Sequence, residues 1–331
     1  MTYNSDPAAP TVAYVAEKLS LPGNSYSSVH IMSNKNLFRD FLKEQNLNCP
    51  VYYDFTSVEE VNNYIENIVY PVIVKPVDSS GSKGCSIVKD SCDLEVAVVN
   101  AFEKSRCKRI IIEEYIEPYG RQLHGDGFVE NGKVTFLHLG DHHFVESLNN
   151  LVPYSTTYPT GHSKDDVQGC FEQIQDFISK VGFKNGGFNV ELRISKKDHK
   201  PYIIDIGARN GGNFTPKVIE YGTGFNFMDR AIKLALGEPV AELEMTDKIS
   251  DFVSYLILHS HQSGVLNNCI LSSQLESRII EKHIYVKQGD KVEPFLGANV
   301  ALGVLIMKYE TREVMEKIVG NFSNLYKVEL K

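Results

Sequence analysis

The stretch that most constrains the fold is YPVIVKPVDSSGSKGCSIV, residues 70–88, in which a hydrophobic strand carrying Lys75 breaks into a loop rich in serine and glycine. Glycine allows close approach of the backbone, so the N–H groups and hydroxyls of Ser80, Gly81 and Ser82 suit an anion. Lys75 would carry its ammonium to the same place. The alternative is a solvated hairpin tip with a surface lysine. The two commonest phosphate-binding fingerprints, G-x-x-x-x-G-K-[ST] and G-x-G-x-x-G, do not occur in this stretch.

Composition excludes several classes of protein. The 331 residues are 42% hydrophobic and 23% charged, which is typical of a globular chain rather than a disordered one. A net charge of −8 argues against an extended surface for nucleic acid or anionic membrane. No secretory pattern or spanning apolar run is visible, so we expect a cytoplasmic protein with no membrane or nucleic-acid partner. The six cysteines are scattered, which favours neither a disulfide framework nor a zinc site.

Periodicity predicts a mixed α/β chain. An amphipathic helix is expected in MSNKNLFRDFLKEQNLNCP, capped by Ser33 or Asn34, and a continuous apolar strand in RIIIEEYI. Asn131-Gly132 is typical of a two-residue hairpin turn. A capped helix should begin after Ser163, and two strands should follow in GGFNVELRIS and PYIIDIGA.

The last two strands carry acidic residues. Glu191 on one and Asp205 on the next lie beside apolar residues, so we expect a buried carboxylate pair. Carboxylates from adjacent strands can hold one or two Mg²⁺ ions that bridge nucleotide phosphates. Arg209 could reach the transferring group as a planar cation. The alternative is a hairpin with exposed acids that pair with Arg193 or Arg209.

A strand that ends in acids, IIIEEYIE, can offer its terminal backbone amide and carbonyl to an adenine, with Glu117 near the ribose. Taken in order, the lysine-bearing helix, YPVIVKP with its loop, EEYIE and IDIGARNGG resemble the ATP-grasp superfamily of carboxylate-amine ligases and carbamoyl phosphate synthetase-like enzymes. The resemblance covers residues from about 30 to 240. It implies an α/β (α+β) ATP-grasp fold, with two lobes whose antiparallel sheets grip ATP and a glycine-rich loop that closes over the phosphates.

The resemblance also implies a role for individual residues. Arg209 and Lys75 would be catalytic, and Glu191 and Asp205 would bind Mg²⁺, or Mn²⁺ in its place. The residues implied to contact ATP are Lys35, Lys75, Ser80, Gly81, Ser82, Glu114, Tyr115, Ile116, Glu117 and Gln122.

Two departures from the family pattern concern the metal site and the ribose. Asp205 replaces the usual Glu, and Gly207 stands where a third ligand, Asn, is expected, so Asn210 or Asn213 would have to supply that oxygen. Gln122 occupies a place often held by Glu, which makes Glu117 the alternative ribose contact.

The expected domains are a remnant of the preceding domain with linking helices at 1–66, a small lid subdomain at 67–115, the core with the metal site at 116–240, and the C-terminal part of the core lobe at 241–331. The resemblance implies that most of the domain that normally precedes the ATP-grasp core is missing, so the chain would be a naturally short or split form, or a fragment whose remainder lies elsewhere. A homodimer or a partner chain is therefore expected to complete the site.

The expected reaction is a ligation. A small-molecule carboxylate would attack the γ-phosphate of MgATP to give an acylphosphate and ADP, and an amine, or less readily a thiol, would then displace phosphate. His142, His143 and Tyr158 are candidates for substrate contacts. Three alternatives are a carboxyphosphate- or carbamoyl phosphate-forming enzyme, a small-molecule kinase and a non-catalytic nucleotide-binding module.

Overall fold

The computed structural model describes residues 3–145, 149–240 and 251–331 of the chain. These residues divide into two compact units. The first unit contains residues 3–137, 162–210 and 227–240, and the second contains the remaining described residues. The four-part division expected from the sequence stays a prediction, and residues 241–250 of its last part lie outside the described chain.

The elements follow in chain order. The helices are α1 Ala9–Lys18, α2 Tyr26–Ser33, α3 Lys35–Glu44, α4 Val58–Tyr64, α5 Leu94–Lys104, α6 Lys164–Val181, α7 Thr215–Thr223, α8 Phe227–Leu236, α9 Ser273–Glu276 and α10 Arg312–Gly320. The strands are β1 Tyr52–Phe55, β2 Val72–Pro76, β3 Ser86–Val88, β4 Ile110–Glu114, β5 Leu123–Glu130, β6 Lys133–Val145, β7 Asn149–Tyr158, β8 Gly186–Ile194, β9 Pro201–Gly207, β10 Phe252–Leu258, β11 Gly264–Leu271, β12 Ile279–Ile284, β13 Lys291–Val292, β14 Gly303–Tyr309 and β15 Tyr326–Leu330. Within the described ranges, no helix has the length and apolar content needed to cross a membrane.

A four-stranded antiparallel sheet in the first unit has the order β1-β4-β2-β3. Side chains alternate between its two faces, because successive residues of a strand point in opposite directions. Val72 and Val74 pack on one face with Val61 of α4 and Leu94 of α5. The opposite face receives Lys75, which lies between Val74 and Pro76 on β2.

Three further strands of the same unit are hydrogen-bonded neighbours in the order β5-β8-β9, and their pairs are also antiparallel. The turn that joins β5 to β6 contains Asn131 and Gly132 at φ of 53° and 81°, which confirms the predicted hairpin turn. α6 begins with a capping box formed by Ser163 and Asp166. Phe177 of α6 contacts the ring of Phe38, which joins α6 to α3.

The second unit has its own core. Its strands include the antiparallel neighbours β12-β14-β10-β7 and a separate sheet in the order β13-β11-β15. Leu256, Leu305 and Met307 pack with Met315 and Ile318 of α10 in one buried cluster. Because each unit buries apolar residues of its own, each is compact by itself.

Candidate functional site

A buried ion pair joins β2 and β4 of the four-stranded sheet. The register sets Ile73 across from Glu113, so Lys75 is the diagonal neighbour of Glu113 on the face away from α4 and α5. Lys75 Nζ donates to Glu113 Oε2 at 2.8 Å. Both side chains are almost fully buried, with Lys75 4% and Glu113 2% exposed. A charged pair at this depth is stable only because each partner neutralises the other.

Arg39 of α3 completes a triad with Lys75 and Glu113, although helix periodicity gave no reason to bury it. Its Nε and Nη2 donate to the two Glu113 carboxylate oxygens at 2.9 and 3.2 Å. Its Nη1 and Nη2 also donate to the carbonyls of Ile203 and Ile204 on β9 at 2.9 and 2.8 Å. Arg39 therefore ties the four-stranded sheet to β9, immediately before Asp205.

The electrostatics of the triad keep Glu113 ionised. Burial alone would raise the pKa of Glu113, but the charges of Arg39 and then Lys75, with their hydrogen bonds, lower that pKa to about 2. The carboxylate is consequently a permanent anion at neutral pH, and it holds two cations in fixed positions.

Glu191 and Asp205 lie directly opposite each other on β8 and β9. Opposite residues of an antiparallel pair project from the same face, so the structure brings the two predicted metal ligands together. A register shift follows at Leu192, where β9 carries one extra residue. The expected burial does not hold, because the Asp205 side chain is 45% exposed. The exposed carboxylate is accessible to a ligand from solvent.

Lys35 stands beside this acidic pair. Its Nζ lies 3.4 Å from Asp205 Oδ2 and donates to the carbonyl of Ser79 at 3.0 Å. Burial disfavours the charged form of Lys35, but Asp205, with smaller contributions from Cys85 and Glu113, raises the pKa of the lysine above its ordinary value. Lys35 thus joins the base of the glycine-rich loop to the acidic strand.

The donor set of the acidic pair suits Mg²⁺. Mg²⁺ prefers oxygen ligands and keeps several waters, so two protein carboxylates with nucleotide phosphates form a common type of site. Among the described residues, no three His, Cys, Asp or Glu side chains converge as a metal cage. Glu191 and Asp205 therefore fit an ion that arrives with a nucleotide better than one held by protein alone.

Residues 80–82 form the tip of the glycine-rich loop, and two of the three have left-handed backbone. The carbonyl of Ser79 accepts a hydrogen bond from Lys35. At the start of the loop Asp78 Oδ2 accepts from the Cys107 backbone N–H at 2.9 Å. The tip thus extends from an anchored base, which is compatible with a phosphate-covering loop, and its contact with phosphate stays a prediction.

Some backbone groups at the strand end predicted to hold adenine already form hydrogen bonds within the protein. The Tyr115 backbone N–H donates to the carbonyl of Pro71 at 3.1 Å, and the carbonyl of Ile116 accepts from Arg193 Nη1 at 3.0 Å. The Ile116 N–H makes no backbone bond to another described residue. Glu114 precedes this turn on β4. If adenine binds here, the Ile116 N–H is the donor that the structure leaves for it.

Gln122 and Glu117, the two ribose candidates, have different surroundings. Gln122 is buried; its Nε2 donates to Glu191 Oε2 at 2.9 Å and its Oε1 accepts from Arg193 Nε at 2.7 Å. The side chain therefore orients Glu191 of the acidic pair. Glu117 is exposed and pairs with Lys196 at 2.7 Å. Exposure makes Glu117 the more accessible of the two, and both ribose roles stay predictions.

Arg209 lies two residues beyond β9 and is held by the N-terminal segment. Its Nε and Nη2 donate to the two carboxylate oxygens of Asp6 at 2.6 and 2.8 Å. Burial would lower the pKa of Arg209, but Asp6, followed by Asp126 and Asp205, raises it. The guanidinium is therefore a fixed cation in the electrostatic field of Asp205.

Asn210 and Asn213 are the two residues proposed to supply a third metal ligand, and the structure bears on them differently. Asn210 Oδ1 lies 1.9 Å from the point at which a Cβ on Gly187 would stand. Gly187 precedes Glu191 by four residues on β8, or about 13 Å along a strand. Asn210 and Glu191 are therefore too far apart to share one ion. Asn213 belongs to the second unit, and its role stays a prediction.

The candidate substrate contacts in the second unit are buried. His142 Nδ1 lies 2.8 Å from Thr156 Oγ1, and His143 Nε2 lies 3.0 Å from Thr157 Oγ1. Tyr158 is fully buried as well. These side chains bond across β6 and β7, and their contact with a substrate stays a prediction.

Sequence reasoning missed three charged residues at this site: Arg39, Glu113 and Asp6. A usable signal existed for Glu113, since it interrupts an apolar strand just as Lys75 does on its neighbour. Arg39 and Asp6 gave no local signal, because their partners lie far away in the chain.

Comparison with known proteins shows which sequences and folds this chain is similar to. Residues 68–217 match the family model described as the ATP-grasp domain. The carbamoyl phosphate synthase large chain of Thermotoga petrophila is 25% identical over 239 residues, which is 69% of this chain and 20% of that relative. The chain thus spans about a fifth of the length of the carbamoyl phosphate synthase large chains that it matches.

Solved structures match over nearly the whole chain. An L-amino acid ligase from Bacillus licheniformis has a TM-score of 0.85 at 23% identity, covering 99% of this chain and 80% of its own. The biotin carboxylase domain of a Hydrogenobacter thermophilus 2-oxoglutarate carboxylase, in complex with MgADP, has a TM-score of 0.72 at 16% identity, covering 97% and 72%. The fold predicted from the motif order is confirmed.

Proposed function

We propose that this chain, which carries an ATP-grasp domain, is an ATP-dependent ligase that joins a small-molecule carboxylate to an amine. The observation that carries the proposal is the acidic pair: Glu191 and Asp205 share one face of adjacent strands, and Lys35 lies 3.4 Å from Asp205. Acids flanked by fixed cations are what the phosphates of a metal-bound nucleotide require.

The chemistry divides into two balanced steps. An oxygen of the substrate carboxylate attacks the γ-phosphorus, the bond from that phosphorus to the β–γ bridging oxygen breaks, and ADP leaves. The amine nitrogen then attacks the acyl carbon of the acylphosphate, the carbon–oxygen bond to phosphate breaks, and the amine loses a proton. A bound Mg²⁺, held by Glu191 and Asp205, would neutralise charge on the phosphates.

The protein's own residues position and stabilise the reacting groups. Lys35 and Lys75 would contact phosphate oxygens, and Arg209 would stabilise the charge that develops on the transferring phosphoryl group. Loop residues 80–82 would cover the phosphates and exclude water, which would otherwise hydrolyse the acylphosphate. Adenine would bind at the Ile116 N–H.

Trapping of the acylphosphate tests the proposal. The purified protein is incubated with MgATP, hydroxylamine and pooled carboxylic acids, and hydroxamate and ADP are measured. We expect hydroxamate that depends on both ATP and one acid, since hydroxylamine replaces the unknown amine. ADP release without hydroxamate for any acid would contradict a ligase of this kind.

A carboxyphosphate-forming enzyme is the second candidate, because a curated relative is named carbamoyl phosphate synthase large chain. The same assay separates the two functions when bicarbonate is the only acid supplied. Release of ADP that depends on bicarbonate alone would favour the second candidate. A stable phosphorylated product would instead indicate a kinase.

A further inference from the structure

The N-terminal segment supplies an acidic side chain to the site. Asp6 and Arg209 form a bidentate pair at 2.6 and 2.8 Å, although 203 positions separate them in the chain. The Arg209 side chain is only 16% exposed. Two parallel hydrogen bonds fix the rotation of a guanidinium as well as its distance, so Asp6 sets the plane in which Arg209 lies.

Backbone bonds hold this segment in place. The Asn210 N–H donates to the carbonyl of Tyr3 at 2.9 Å, beside the ion pair. On the other side of Asp6, the N–H groups of Ala8 and Ala9 donate to the carbonyl of Ser5, both at 3.2 Å, where α1 begins. Asp6 therefore lies between a bond from Asn210 to Tyr3 and the turn that leads into α1.

Gly207 provides the space that the Asp6 carboxylate fills. A Cβ at position 207 would stand 3.2 Å from Asp6 Oδ1 and 3.5 Å from Arg209 Cζ. Gly207 follows Asp205 by two residues on β9, so the two positions share a face of the strand. The carboxylate of Asp6 consequently lies on the same face as the acidic pair.

The Arg209 guanidinium has N–H groups that do not bind Asp6. Arginine has five N–H groups, and Asp6 uses two of them through Nε and Nη2. A third, on Nη1, donates to the carbonyl of Asn210 at 3.0 Å. These three bonds leave one N–H on Nη1 and one N–H on Nη2. The edge of the guanidinium that carries these two N–H groups is available to an oxyanion.

We propose that Asp6 is a positioning residue, which orients Arg209 so that its remaining N–H groups meet the transferring phosphoryl group. The inference rests on the proposed function for its kinetic consequence only. The ion pair itself can be measured without turnover, and this separates failure of the inference from failure of the function.

The first experiment is spectroscopic. In ¹⁵N-labelled protein the Nε–H signal of Arg209 is assigned by its disappearance in Arg209→Lys, and its solvent exchange rate is measured in the parent and in Asp6→Asn. We expect exchange at least about tenfold faster in Asp6→Asn, because a charge-assisted hydrogen bond is lost. An unchanged shift and exchange rate would overturn the pairing.

The second experiment is kinetic and uses the acid identified by hydroxamate formation. Asp6→Asn should lower kcat by about 10- to 100-fold, the cost of a misplaced catalytic group, with KM for ATP within about twofold. Asp6→Glu should recover part of kcat because it restores the charge. Gly207→Ala should lower kcat as well, since its Cβ would crowd Asp6.

The control is Asp54→Asn, which breaks another bidentate pair, that between Asp54 and Arg109 on the four-stranded sheet. This variant should keep kcat. If the parent is active and Asp6→Asn keeps or increases kcat, Asp6 does not position Arg209 for catalysis. A parent that forms no hydroxamate with any acid refutes the proposed function, and the spectroscopic result then still decides the pairing.

Discussion

Replacement of Glu113 by glutamine is the sharpest test of how the buried triad is held together. The change removes one charge from a site where Arg39 is fully buried and Lys75 is 4% exposed. Both cations then lack an anion, and the new amide presents a donor to one of them. Removing one partner from a buried ion pair costs about 3–5 kcal/mol of unfolding free energy. The amide oxygen still accepts one hydrogen bond, so we expect a loss of about 3 kcal/mol.

The pH dependence of the unfolding free energy is a second measure of how much Glu113 stabilises the fold. The pKa of Glu113 falls from an ordinary 4.5 to about 2 in the folded protein. A lowered pKa stabilises the fold at every pH above 4.5, and this stabilisation is lost as the pH falls from 4.5 through 2. A shift of this size corresponds to about 3 kcal/mol. The parent and Glu113→Gln should therefore differ most near neutral pH and converge in acid.

The assay is urea unfolding followed by far-ultraviolet circular dichroism, since the chain contains no tryptophan. Glu117→Gln is the matched control, because it breaks an ion pair with Lys196 in which both side chains are more than 60% exposed. An exposed pair contributes about 0–1 kcal/mol. If both variants lose the same stability, or if the difference between the parent and Glu113→Gln stays constant from pH 7 to pH 3, the charge of Glu113 does not stabilise the fold.

Three further variants test the ligand-binding residues. Lys75→Ala should weaken MgATP binding by about 1.5–3 kcal/mol in calorimetry, the scale of a hydrogen bond to a charged group, and unchanged affinity would count against this phosphate site. Arg209→Ala should lower kcat by about 10²–10³ and spare KM for ATP, as for loss of a transition-state donor; a large rise in KM with intact kcat would contradict that role. Asp205→Asn should abolish turnover and weaken Mn²⁺ binding in the presence of ATP, measured by electron paramagnetic resonance, while circular dichroism stays unchanged. Near-normal Mn²⁺ binding would mean that Asp205 is not a ligand.

The elements of the fold could be predicted where a local rule applies. Alternation and apolar runs placed β4 and β9, and Asn131-Gly132 fixed a turn that only residues tolerant of positive φ adopt readily. The pairing of Glu191 with Asp205 was also predictable, since two strands joined by a short polar turn form a hairpin. These features depend on neighbours in sequence, which is why the sequence reveals them.

The burial of charged residues could not be predicted in the same way. Arg39 occupies a helix position that charged residues normally expose, and only the distant Glu113 makes its burial favourable. Asp205 was expected to be buried because apolar residues flank it, yet its side chain is open. Flanking residues define which strand face is buried, but the carboxylate's exposure depends on what covers that face.

Burial divides the candidate site into a frame and an open part. Arg39 and Glu113 satisfy each other, so substitutions there should change stability before they change ligand binding. Asp205 is half-exposed and retains capacity for a ligand, so its substitution should do the reverse. Lys75 belongs to both parts: Glu113 accepts one hydrogen bond from an ammonium that has three donors. Loss of Lys75 must therefore affect stability and ATP affinity together. A variant at position 75 that changed only one of these two quantities would contradict this dual role of Lys75.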